Sequence, residues 1–272
     1  MRSFYNLLIL FSALNIPCAA PQNKDGCKEK YIVFVQSDLS DRFESDAKNF
    51  NSIWGTHIPT LFKRVAKKED VCIEIYPLCH ETANANSMLI FNSASLKDKM
   101  EYDKGKKRKE AEEQARRMHA SILANHNNQQ QDIIGSIALL MAKKDASLEI
   151  DRTKIIYISD MIHYNTAIDQ TDSEKGLFNF ESFYSLGIFE RTIQQGFLYG
   201  RTGNKIKIKR LVDDNKKQIL EIYSVYLPPG KRPIPAEVLV KTPEVWRDLF
   251  KALGASTIRL NLSLLDGVLP EN

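Results

Sequence analysis

The sequence predicts an α/β fold, a central and mostly parallel sheet with helices on both faces. Two short apolar runs far apart in the chain carry that reading. Tyr31–Val35 sets five apolar or aromatic residues in a row and runs into Ser37-Asp38-Leu39-Ser40-Asp41, and Lys154–Met161 (KIIYISDM) repeats the pattern, again ending Ser-Asp. Such runs, bounded by polar turn residues, read as strands buried on both faces of a parallel sheet. Helix-periodic segments lie between the strands, which points to one layered domain. Oxygen-bearing groups at the carboxyl ends of the strands fall where open α/β sheets bind ligands.

The chain has 272 residues, 43% hydrophobic and 26% charged, an ordinary globular composition. At its start, Arg2 precedes the apolar stretch Leu7–Leu14, and small residues follow at Cys18-Ala19-Ala20. That order is expected of a secretory signal peptide over 1–20, too short to span a bilayer. Processing after Ala20 leaves a protein that is periplasmic or secreted. Lipidation at Cys18 is the rival, and the one route to a membrane. The net charge of +4 falls to +3 once Arg2 is removed, too little to imply nucleic acid.

Beyond the leader the cysteines are Cys27, Cys72 and Cys79. Export permits a disulfide, and an odd number allows at most one pair within the chain. Cys27 shortly precedes the first strand and Cys72 opens the second, Val71–Leu78, so Cys27–Cys72 suits neighbouring strands. Cys72–Cys79 is the rival pairing, free buried thiols are the other alternative, and neither spacing suits zinc.

Between the first two strands, Phe43–Ala66 carries apolar residues at helical three-and-four spacing, with a kink or break expected near His57 because Pro59 falls inside. Met88–Phe91 reads as a short third strand. Residues 98–126 form a charged helical insertion, with Lys104, Lys106, Lys107, Arg108 and Lys109 followed by Glu110, Glu112 and Glu113. This pattern is that of a solvated face, His119 and His126 included, and no nucleic-acid partner is expected. Asp132–Lys144 is an apolar helix against the sheet. A helix follows over roughly 180–199. Lys205–Leu211 and Gln218–Leu227 read as a hairpin around Asp213-Asp214-Asn215, the second arm long enough to join the main sheet. A last helix starts at Thr242-Pro243-Glu244 and stops at Gly254.

Three loops then converge on one edge of the sheet. Asp38 and Ser40 top the first strand, Gln131-Asp132 opens a helix, and Asp160 ends the later strand. A hydroxyl, carboxylates and an amide are ligands for a hard cation such as Mg²⁺ or Ca²⁺.

This order of elements (strand–DLSDR–helix, a polar loop with QDIIGSI, strand–ISDM) resembles the von Willebrand factor A domain. So does the closing strand Tyr223–Leu227 with its proline loop and a helix bearing Trp246, Phe250 and Gly254-Ala255. The resemblance spans roughly Lys28–Ser256 and implies a Rossmann-like VWA fold over 28–258, with 259–272 as a tail. It also implies a metal-ion-dependent adhesion site of pattern Asp-x-Ser-x-Ser with a distant Thr and Asp, which usually binds Mg²⁺ and completes its coordination with a carboxylate from a protein partner. Asp38 and Ser40 match the first two places and Asp160 the last. Arg42 stands at the second serine place, and Gln131 or Asp132 at the threonine place. The site is therefore degenerate. A guanidinium is no metal ligand, and Arg42 bridging to Asp38 or Asp160 would replace the cation.

No phosphate loop, GxSxG or late histidine accompanies these residues; the five histidines all precede residue 164. The expectation is an exported, non-enzymatic module that docks a protein partner through the loops around the degenerate site. A hydrolase using a hard metal there, and a metal-free structural protein, are the alternatives.

Overall fold

The computed structural model describes residues 27–37, 44–79, 82–96, 99–125, 131–143, 150–163, 193–199, 205–228, 236–265 and 269. The residues read as a signal peptide with Cys18, residues 38–42, His80, His126 and most of the segment read as a helix over 180–199 lie outside the described residues.

Six strands form the main sheet: β1 (Glu29–Gln36), β2 (Val71–Leu78), β3 (Leu89–Asn92), β4 (Arg152–Ile158), β7 (Ile219–Val225) and β8 (Thr257–Leu262), in the order β3-β2-β1-β4-β7-β8. Only β3 runs antiparallel to its neighbour; the other pairs are parallel. The apolar runs behave as their composition requires. Tyr31, Val33 and Val35 enter one core and Ile32 and Phe34 the other, so β1 needs apolar residues at every position.

On the Tyr31 face lie α1 (Glu44–Ser52), a π turn (Ile53–His57), α2 (Ile58–Val65) and α3 (Glu101–Asn125). The expected irregularity before Pro59 is that π turn, in which Ile58 N–H reaches back five residues to Ile53 O. Proline has no N–H to give the preceding turn, and the wider turn makes room for its ring. On the Phe34 face lie α4 (Ile133–Lys143), with Ile133, Ile134 and Ile137 buried, and α5 (Ala236–Ala252), with Trp246, Leu249 and Phe250 buried.

Several expectations need correction. Phe197–Tyr199 is a strand (β5), not the end of a helix, and it pairs with β6 (Lys205–Lys207); the hairpin is thus β5–β6, and β7 lies between β4 and β8. Strand β7 is apolar on both faces, which suits the sheet interior better than a two-stranded ribbon. Helix α5 begins six residues before Thr242 and carries Pro243 inside it. The ring removes one bond to the preceding turn, while buried Val245, Trp246 and Leu249 hold the helix beyond it. The stop at Gly254 stands: φ is +93°, and Ala255 N–H returns to Phe250 O while Gly254 N–H returns to Lys251 O, a Schellman ending. Strand β8 carries the sheet to Leu262, past the boundary expected at 258. It bulges against β7, with Asn261 at φ +60° and its N–H on Ser224 Oγ.

Cys27 and Cys72 form the disulfide, joining the starts of β1 and β2 with Cα atoms 5.8 Å apart. Cys79 lies half-buried outside the bridge. Among the described residues no helix is long and apolar enough to cross a membrane.

Candidate functional site

The register of β1 on β4 pairs Val35 with Ile158, so the two strands whose exits lead to Asp38 and Asp160 leave the sheet side by side. Gln36 ties those exits together: its Oε1 accepts from Asp160 N–H at 2.9 Å. Ser37 N–H donates to Leu78 O and Ser159 N–H to Val225 O, which stitches the ends of β2 and β7 to the same edge.

Past β4 the chain makes a turn of its own side chains. Met161 N–H donates to Ser159 Oγ at 2.8 Å and Ile162 N–H to Asp160 Oδ1 at 2.9 Å. Met161 stands at φ +60°, a left-handed backbone that costs on the order of 1 kcal/mol or more for a side chain of its size. What holds it is Trp246, whose indole N–H donates to Met161 O at 2.7 Å from inside the core.

Gln131 meets this turn from the α4 side. Its Nε2 donates to Asp160 Oδ1 at 3.0 Å and to Ile162 O at 2.9 Å. Both partners accept only, so the amide's orientation is fixed. Its Oε1 then faces away, buried and accepting no hydrogen bond among the described residues. The structure thus brings two of the expected residues, Gln131 and Asp160, into direct contact.

Asp132 has a different task. Its Oδ1 accepts from Gly135 N–H at 2.7 Å, making it the N-cap of α4, and its own N–H donates to Cys79 O at 3.2 Å. The cap explains the glycine, since a Cβ on Gly135 would stand 2.9 Å from Ala83 N and closer still to the Asp132 carboxylate. Asp38, Ser40 and Arg42 lie outside the described residues, so the hydroxyl, the first carboxylate and the guanidinium expected here have no described geometry.

Two buried histidines flank the site, and the sequence reading missed both roles. His163 Nδ1 accepts from Ile133 N–H at 3.2 Å, and its ring meets Trp246 edge-on. Burial alone pushes its pKa down to about 3. His119, expected on a solvated face, is fully buried. Trp54 Nε1 donates to its Nδ1 at 2.8 Å, and its Nε2 lies 3.0 Å from Gln36 O and 3.1 Å from Ser37 Oγ. An indole N–H only donates, so the imidazole proton sits on Nε2. Burial lowers its pKa to about 4, against the pull of the Gln36 carbonyl. The signal was there: Arg108, Ala111, Ala115, His119 and Ile122 repeat at three and four, a stripe among lysines and glutamates.

The oxygens here suit a hard cation. Asp160 offers a carboxylate and Gln131 a buried carbonyl oxygen whose lone pairs meet no donor among the described residues, each the kind of group Mg²⁺ or Ca²⁺ takes up. Among the described residues no three His, Cys, Asp or Glu side chains gather into a metal-binding group.

No protein-family model matches the chain, and no curated protein does. Among solved structures it is similar to the human COPII-coat protein Sec24c, at 8% identity and a TM-score of 0.41, over 91% of this chain and 31% of that one. It is also similar to the pilus adhesin SpaC from Lactobacillus rhamnosus GG in its open conformation, at 7% identity and a TM-score of 0.41, over 87% of this chain and 28% of that one. The chain spans less than a third of either. Its own strand order and register make it a Rossmann-like α/β protein.

Proposed function

We propose that this is an exported, non-enzymatic binding module of von Willebrand A type. It docks a protein partner through the loops at the carboxyl edge of the sheet, around Asp38, Ser40, Gln131 and Asp160. The observation that carries the reading is the Gln131–Asp160 pair, in which Gln131 Nε2 and Ile162 N–H fix one carboxylate at the carboxyl edge of the sheet. The disulfide suits the oxidising surroundings of an exported protein.

Asp160 would hold Mg²⁺ or Ca²⁺ together with Asp38 and Ser40, with Gln131 fixing the Asp160 carboxylate, and the ion's open position would accept a carboxylate from the partner. The chain's own contribution is to keep Asp160 in place through Gln36, Gln131 and the strained Met161 turn.

Thermal denaturation with Mg²⁺, Ca²⁺ or chelator tests this. At a hundredfold excess over Kd the cation raises Tm by about 5 °C. Asp160→Asn keeps an oxygen for Ile162 N–H and removes the charge, so it abolishes the shift while leaving the metal-free Tm nearly unchanged. Turnover of simple phosphoesters in the same metal would transfer the site to the hydrolase reading. A Tm indifferent to metal and chelator, with Arg42→Ala strongly destabilising, would mark a metal-free structural protein whose guanidinium replaces the cation.

A further inference from the structure

The charged helix α3 reaches the end of β1 through His119. His119 is its fully buried polar member, and its Nε2–H is directed at the last residues of β1, 3.0 Å from Gln36 O and 3.1 Å from Ser37 Oγ. The side chain of that same Gln36 accepts Asp160 N–H, and Asp160 Oδ1 accepts from Gln131 Nε2 and Ile162 N–H. An uninterrupted series of hydrogen bonds therefore runs from α3 through β1 and the β4 exit to the start of α4. On its other side the imidazole is fixed by Trp54 N–H from the π turn between α1 and α2.

We infer that His119 is a positioning residue for the candidate site. It sets the end of β1, and through Gln36 it sets Asp160. A histidine that only fills the core would need packing and satisfied nitrogens. This one gives its single proton to the main chain at the point where β1 ends, and the next bond in the series belongs to a site residue. The inference rests on the binding reading for what the site does, but its test does not.

The two nitrogens can be separated by substitution. His119→Gln reaches the Nε2 position with an amide N–H and loses the acceptor for Trp54. His119→Asn keeps an acceptor near Nδ1 and loses the donor to Gln36. In ¹H–¹⁵N spectra of the full chain, the Asn variant is expected to shift the Asp160 and Ile162 amides and leave the Trp54 indole near its wild-type position. The Gln variant is expected to do the reverse. Asp160 and Ile162 amides that stay in place in the Asn variant, or move equally in both, overturn the inference. Should either variant fail to fold, hydrogen exchange on the unmodified protein decides. Asp160 N–H exchanging at the rate of the α3 amides around His119 supports the coupling, and exchange a hundredfold faster refutes it. A Mg²⁺ titration run alongside reports on the binding reading separately: a normal metal response with uncoupled spectra discards the role of His119 alone, and coupled spectra without a metal response discard the binding reading alone.

Discussion

His119 and His163 are both neutral in the folded protein, with burial pushing their pKa values down to about 4 and about 3. Unfolded, each would take a proton near pH 6.5. Their contribution is therefore complete above about pH 6.5 and drains away as the pH falls through the folded values. At pH 5 each imidazole costs about 2 kcal/mol relative to neutral pH. Urea unfolding at pH 7.5 and pH 5 should show that loss, and His119→Gln should remove roughly half of it. A second residue-scale prediction concerns Lys154, inside β4 and 8% exposed, with its ammonium 3.6 Å from both Glu29 and Glu221. Burial would raise the Glu29 carboxyl, but the Tyr31 hydroxyl and the ammoniums of Lys68 and Lys154 hold it below its usual range. Lys154→Met takes the shared ammonium from two half-enclosed carboxylates on either side of β4, leaving Glu29 with Lys68, and is expected to cost about 3 kcal/mol. Chemical denaturation at neutral pH measures it, and lowering the pH to protonate the glutamates should recover part of the loss.

At the scale of elements, the start of α4 is the most tightly specified. Gly135 admits no Cβ between the Asp132 cap and Ala83, so Gly135→Ala should destabilise by about 1–3 kcal/mol although alanine is the better helix former. A fall in the denaturation midpoint without loss of the far-ultraviolet helix signal is the expected reading. Elements whose residues face one consistent environment were legible in the sequence. Val71–Leu78 stands within the bounds its composition implied, and β1 and β4 lie where their apolar runs fall. Thr242-Pro243 misled because a local capping pattern says nothing of the packing that carries α5 through the proline. His119 misled because the charged residues around it outnumber the narrow stripe it belongs to. The site was legible by half. A strand end pointed to Asp160 and a helix start to Gln131, but Gln36 and Trp246 act across more than eighty residues of sequence, a distance that no local pattern spans.

For the molecule as a whole, the sheet separates two tasks. The disulfide fastens the strand starts, and the candidate site occupies the strand ends. Closing a loop of sequence separation 45 withdraws about 2–4 kcal/mol of freedom from the unfolded chain. Reduction, or the Cys27→Ser/Cys72→Ser pair, should lower the melting temperature by that measure. The Asp160 and Ile162 amide resonances should be left unchanged below the transition.

The two outermost strands carry a last consequence. Strand β3 presents four residues, and β8 breaks step with its neighbour at Asn261, where the backbone turns left-handed. A foreign chain laid along either margin would run out of matching amides within a few positions. Both margins thus carry the features, a short strand and a bulge, that discourage edge-to-edge pairing of one copy with another.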